Sequence, residues 1–162
     1  MTFRIPTLWL ITAAVAAATC LTFAIAFYPR GASDEEKLAL AAQRKKAYDT
    51  IAAGLQEHYA ERKDAALAKY REAIAIDPAV SSAYYLIGTT ELNDGNLKES
   101  IAQFDQALIT DKYPEHIYNN RGVARMRLGD PKSALSDFNA ALALKPALRQ
   151  PQINRGLLRL QQ

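Results

Sequence analysis

Four glycines stand 34 residues apart, at Gly54, Gly88, Gly122 and Gly156. Tyr70, Phe104 and Phe138 follow the first three at one fixed spacing, and Ala73, Ala107 and Ala141 keep step behind them. Ala66, Ser100 and Ala134 make a further column of small residues, and Pro78 and Pro146 lie two periods apart. A strict period of this length means that one supersecondary unit is stacked on copies of itself, each burying a face it cannot bury alone. No other feature restricts the fold as strongly.

Each unit reads as two helices. Tyr84, Ile87 and Leu92 give the first a helical apolar pattern, and Leu97, Ile101, Phe104, Ala107 and Leu108 form one apolar face on the second. Between the two comes a turn, "NDGN" over Asn93–Asn96 or "LGDP" over Leu128–Pro131. In the latter Asp130 can cap a helix and Pro131 can occupy its first turn. The composition agrees: 49% apolar residues with much Ala, and only 7 Gly and 7 Pro, favour helices over tightly turned sheet. The expected class is all-α.

The columns resemble those of the tetratricopeptide repeat, W-x2-L-G-x2-Y followed by Ala, Phe, Ala and Pro. That resemblance implies a helical-hairpin solenoid over 47–162, with repeats at about 47–80, 81–114 and 115–148 and a terminal helix at 149–161. The Trp place holds Thr50, Tyr84, Tyr118 and Gln152, and the Tyr place Glu57, Glu91, Arg125 and Arg159. Repeat two has Lys112 where proline is expected and Pro114 two residues late, so its second helix is expected to run on or kink. Leu157, Leu158 and Leu160 are apolar for a plain terminal cap. They are expected to pack on the third repeat, or in part to meet a partner.

Repeat stacks present a concave groove lined by the first helix of each pair. Here it would be lined by Tyr48, Ile51, Leu55 and Tyr59 from repeat one and by Tyr85, Thr89 and Asn93 from repeat two. Repeat three adds Asn119, Asn120, Met126 and Arg127, and the last helix Asn154. An apolar and aromatic floor with amides suits an extended peptide or an amphipathic helix, so the expected partner is a protein. Asn120 and Asn154 occupy the same slot, where an amide both donates to and accepts from a backbone. The competing reading puts Tyr85 in the core and ties Asn120 to the neighbouring repeat. Chaperone-binding members of the family use a basic clamp containing Asn for a C-terminal carboxylate. Leu55 and Leu86 stand where that clamp wants Asn, so a chaperone tail is not expected.

From Ile5 to Tyr28 there is no charged residue. A helix of that length spans about 36 Å, enough for a hydrocarbon core of about 30 Å. Trp9 near one end and Phe27 and Tyr28 near the other suit the two interfaces. Residues 1–28 are therefore expected to be a transmembrane anchor, followed by a linker and stalk helix over 29–46. The alternative is a secreted periplasmic protein whose signal peptide is cleaved at "AIA", Ala24–Ala26, although the uncharged run is long for that. Arg4 favours a cytosolic N-terminus, whereas Arg30, Lys37, Arg44, Lys45 and Lys46 favour a cytosolic domain. Analogy with bacterial anchor-plus-domain chains places the anchor in the inner membrane and the repeats in the periplasm. Ser33 and Glu36 read as a capping box opening a helix from about Asp34 to about Ala60.

Little chemistry is offered. His58 and His116 sit on different repeats, and no metal-ligand spacing, phosphate loop or nucleophile elbow occurs. No catalytic residue, metal or cofactor is expected. A hydrolytic or regulatory module would have only His58 with Glu57 or Tyr59 as an acid/base pair. The net charge of +3 is interspersed, which does not indicate nucleic acid. One cysteine, Cys20, excludes an intrachain disulfide. The expected function is a membrane-anchored scaffold or adaptor, an accessory subunit or assembly factor of a membrane protein complex.

Overall fold

A computed structural model describes residues 33–160. The chain divides into two units, Met1–Leu40 and Ala41–Gln162. The expected transmembrane helix, with Trp9, Phe27 and Tyr28, lies outside the described residues. Among those described, no helix is long and apolar enough to cross a membrane.

In the first unit the described residues open helix α1 (Asp34–Tyr59). Ser33 N–H donates to Glu36 Oε2 at 2.8 Å, and Glu36 N–H donates to Ser33 Oγ at 3.2 Å. This reciprocal pair satisfies donors that a helix start leaves orphaned.

The second unit holds the rest of α1 and six further helices: α2 (Lys63–Ile76), α3 (Ser81–Asp94), α4 (Leu97–Thr110), α5 (Glu115–Arg127), α6 (Pro131–Leu144) and α7 (Arg149–Leu160). Among the described residues there is no strand. The helices pair as α1 with α2 and as α3 with α4 and α5 with α6, and α7 packs on α6 and α5. Each hairpin is keyed by a ring laid on a glycine. A Cβ added to Gly54 would lie 2.6 Å from the Tyr70 ring, one on Gly88 2.8 Å from Phe104, and one on Gly122 2.6 Å from Phe138. Only a bare Cα admits so close an approach. Glycine inside a helix costs about 1 kcal/mol, while burying an aromatic ring contributes about 2–3 kcal/mol, so burial wins at every crossing. Ser100 tightens the second crossing by donating to Gly88 O at 2.8 Å.

The ends of the helices follow local chemistry. Asp130 caps α6 by accepting from Ser133 N–H at 3.1 Å, with Pro131 in the first turn. Gly95 and Gly129 turn the second and third hairpins with φ of +84° and +87°. The same column holds Glu61 in repeat one, at φ +58°, where a side chain crowds its own backbone. Helix α4 neither runs on nor kinks. It stops at Thr110 with the same 14 residues as α2 and α6. Asp111 takes over from the missing proline: its backbone turns extended, and its carboxylate accepts from Tyr113 N–H and Ser81 Oγ, both at 2.8 Å.

Two substitutions separate these effects. Gly88→Ala should destabilise the fold by about 1–3 kcal/mol, although Ala is the better helix former, because the Phe104 ring has nowhere to go. Glu61→Gly should stabilise by about 1 kcal/mol by removing the left-handed strain. Urea denaturation of both variants measures the signs.

Candidate functional site

The first helices of successive repeats, α3, α5 and α7, are joined by a row of side-chain hydrogen bonds. Asn154 Nδ2 donates to Asn119 Oδ1 at 3.0 Å, Asn119 Nδ2 to Asn120 Oδ1 at 3.1 Å, and Asn120 Nδ2 to Tyr85 Oη at 3.1 Å. The Tyr85 ring rests against Phe104 with centroids 6.1 Å apart, which fixes its hydroxyl. All four residues are half-buried. Their remaining capacity is specific: among the described residues no further hydrogen bond is made by the Tyr85 hydroxyl hydrogen, the second hydrogen of each amide or Asn154 Oδ1, each of which is a group that can pair with a ligand. One turn before Tyr85, Ser82 Oγ is buried with no hydrogen-bond partner among the described residues.

The other expected groove residues are distributed. Thr89 Oγ1 is taken up by Tyr85 O at 2.9 Å, and Arg127 Nη1 donates to Leu92 O at 3.1 Å near the end of α3. Tyr48 and Tyr59 are exposed, and Tyr59 meets His58 edge-on. Asn93 lines a separate cleft of about 260 Å³ with His58, Glu61, Lys63, Thr90 and Asp94, beside the Lys63–Asp94 ion pair of 3.0 Å. Ile51 is not a groove residue. It is 5% exposed and packs in the first core cluster, because Ala47, Ile51 and Gly54, spaced 4 and 3, form the buried face of α1. Leu55 and Met126 are half-buried and pack against the first and third core clusters. Leu158 is 2% exposed in that third cluster, while Leu157 and Leu160 remain exposed.

A second polar assembly has no counterpart in the sequence reading. Asp137 is 2% exposed. It accepts from Arg121 Nε and Nη2 at 3.0 and 2.7 Å and from Arg125 Nη1 at 2.9 Å. Arg121 also reaches Asp105 on α4 and stands 5.4 Å from the Tyr118 ring centroid. Burial disfavours its charge, but the bonds and charges of Asp137 and Asp105 prevail, so the guanidinium is held above its usual range. The usable signal was the pairing of Arg121 and Arg125 around Gly122 with Asp137 before Phe138, two halves of one crossing. One period later, Arg155 Nη1 donates to Asn139 Oδ1 at 3.1 Å, which repeats the Arg121–Asp105 link. Among the described residues, no group of three or more His, Cys, Asp or Glu could hold a metal ion.

Residues 51–117 and 116–148 each match a family model described as Tetratricopeptide repeat. The solved TPR domain of Arabidopsis OM64 is similar at 24% identity, covering 73% of this chain and 98% of that one, with a TM-score of 0.67. The second TPR domain of human RPAP3, in complex with the HSP70 peptide SGPTIEEVD, is similar at 22% identity over 72% and 98% of the two chains, TM-score 0.67. The N-terminal domain of stress-induced protein-1 from C. elegans follows at 16% identity, 72% and 97% coverage and TM-score 0.65. At these identities the likeness establishes the fold. No curated protein matches in sequence.

Asp137→Ala should destabilise the fold by about 3 kcal/mol, since at a buried crossing it leaves Arg125 without a carboxylate and Arg121 with Asp105 alone. Asp137→Asn keeps the shape without the charge and should recover less than half of that loss. A loss below about 1 kcal/mol in urea denaturation would instead class the cluster with surface ion pairs.

Proposed function

The chain belongs to the tetratricopeptide repeat family, its repeat matches together spanning 51–148, and on that premise we propose that it is a membrane-anchored scaffold for protein partners. The observation that carries this reading is the row from Asn154 through Asn119 and Asn120 to Tyr85. Amides and a phenol held at fixed spacing across three helices read a polypeptide backbone, which needs donors and acceptors rather than charge. The RPAP3 domain is in complex with an acidic peptide of HSP70. In this chain, Leu55 and Leu86 pack half-buried against the first core cluster where a carboxylate clamp would want amides. The ligand is therefore an uncharged extended segment of a partner rather than a chaperone tail.

The apolar run Ile5–Tyr28 supports a single membrane span. Repeats tethered in this way serve to recruit or hold subunits of a membrane complex, as an accessory subunit or assembly factor. We assign the anchor to a bacterial inner membrane with the repeats on the periplasmic side. Reporter fusions after Gln162 test the side, and a reporter active only in the cytosol overturns it.

Purification of the full chain in mild detergent, with mass spectrometry, should recover a membrane-complex subunit in stoichiometric amount. Asn120→Ala and Tyr85→Phe should each reduce that recovery at least tenfold. Glu57→Gln combined with His58→Ala should leave it unchanged. Loss of function in the Glu57/His58 variant, with partner binding intact in the others, would favour chemistry over scaffolding.

A further inference from the structure

Helix α7 carries the glycine of the hairpin key with no ring laid on it among the described residues. Gly54, Gly88 and Gly122 are each covered by an aromatic ring, but a Cβ on Gly156 would meet nothing within 4 Å. The inner face of α7 is settled: Pro151 and Leu158 are buried, with Asn154 and Arg155 half-buried between them. The opposite face carries Ile153, Gly156, Leu157 and Leu160, spaced 3, 1 and 3 along one helical stripe. Ile153 and Leu157 are each 49% exposed and Leu160 is 85% exposed. A glycine set among leucines at the centre of an exposed stripe is the notch that this fold uses for crossing helices.

The charges match the same template. In repeat three, Arg121 and Arg125 flank Gly122 and grip Asp137, the residue before the ring that covers the glycine. One period later the same places hold Arg155 and Arg159, flanking Gly156. Arg155 has formed its link to the preceding repeat, through Asn139. Neither arginine has an acidic partner among the described residues. Helix α7 also carries Arg149 and no Asp or Glu.

We infer that α7 is a docking surface for an amphipathic helix of a partner protein, which lays an aromatic ring on Gly156 and offers Arg155 and Arg159 the acidic residue immediately before that ring. The partner helix thus completes a fourth hairpin in trans, with the register A-x-x-[D/E]-[F/Y]-x-x-A set by Ala134, Asp137, Phe138 and Ala141. Charge and burial select this occupant over the others. Residues 1–32 contain no Asp or Glu, so that part of the chain cannot supply the acid. Two copies of α7 face to face would oppose arginine with arginine. The acid–aromatic pair of a second copy, Asp137 and Phe138, is buried in its own hairpin. This surface is distinct from the row through Asn120, and its test does not depend on that reading.

The probe is a stapled, fluorescein-labelled helix with the sequence of α6, PKSALSDFNAALAL, titrated into the full chain in detergent and followed by polarisation. Saturable binding is expected. Gly156→Ala should weaken it at least tenfold while leaving the melting temperature unchanged or raised, because the added methyl meets only the incoming ring. Arg159→Glu should weaken it similarly, and a probe with lysine in place of its aspartate should restore binding to that variant. Asn120→Ala should leave binding unaltered. Failure of the probe to bind, or binding indifferent to Gly156→Ala as expected for a lipid-like apolar surface, overturns the proposal. Self-association of the full chain that Gly156→Ala abolishes would overturn it in favour of a second copy.

Discussion

An aromatic ring lying on a bare helical Cα is the constraint on which the repeat domain depends. Two helices in a hairpin can approach closely only where one of them has no side chain, and the ring then fills the remaining space. Gly88 and Phe104 show how much follows from that contact. With the crossing point set, the small residues at 100 and 107 must fit beneath the opposite helix, and both are fully buried. The faces that remain are then available to the next hairpin. The three core clusters are the successive results of one rule.

That rule also determines which residues are left for recognition. Ile51 is drawn into the core because it shares a face with Gly54, whereas Tyr85 and Asn120 look toward neighbouring first helices and remain half-buried. The bonds among Asn154, Asn119, Asn120 and Tyr85 do not saturate these groups. They order them before a ligand arrives, which reduces the conformational entropy a binding partner would otherwise have to remove. Internal bonding of Asn120 and availability to a ligand are therefore compatible, although the sequence presents them as competing readings.

The period made the fold legible, because every glycine, ring and alanine in the columns is a local requirement repeated at one interval. Legibility stopped where a residue's partner is chosen by stacking. Asp137 reads as one more solvated acid on an amphipathic helix, and only the approach of α5 turns it into the buried anchor of two arginines. Asp111 reads as a loop residue, yet it ends α4 by reaching back to Ser81 across the hairpin. Glu61 occupies a column whose other members are Gly95 and Gly129, but a charged residue in a turn gives no sign of its backbone angle. The three leucines of α7 illustrate the same limit: Leu158 joins the core while Leu157 and Leu160 do not, a division set by which side of α7 meets α6.

The two equivalent arginine links have different physical characters. Arg121 joins the second and third repeats through the carboxylate of Asp105, whose side chain is 48% exposed, and Arg155 joins the third repeat to α7 through the neutral amide of Asn139. Dissolved ions screen the first link and hardly affect the second. Ionic strength thus acts unevenly along the stack: as salt rises, the joint between repeats two and three loosens relative to the joint that holds the terminal helix.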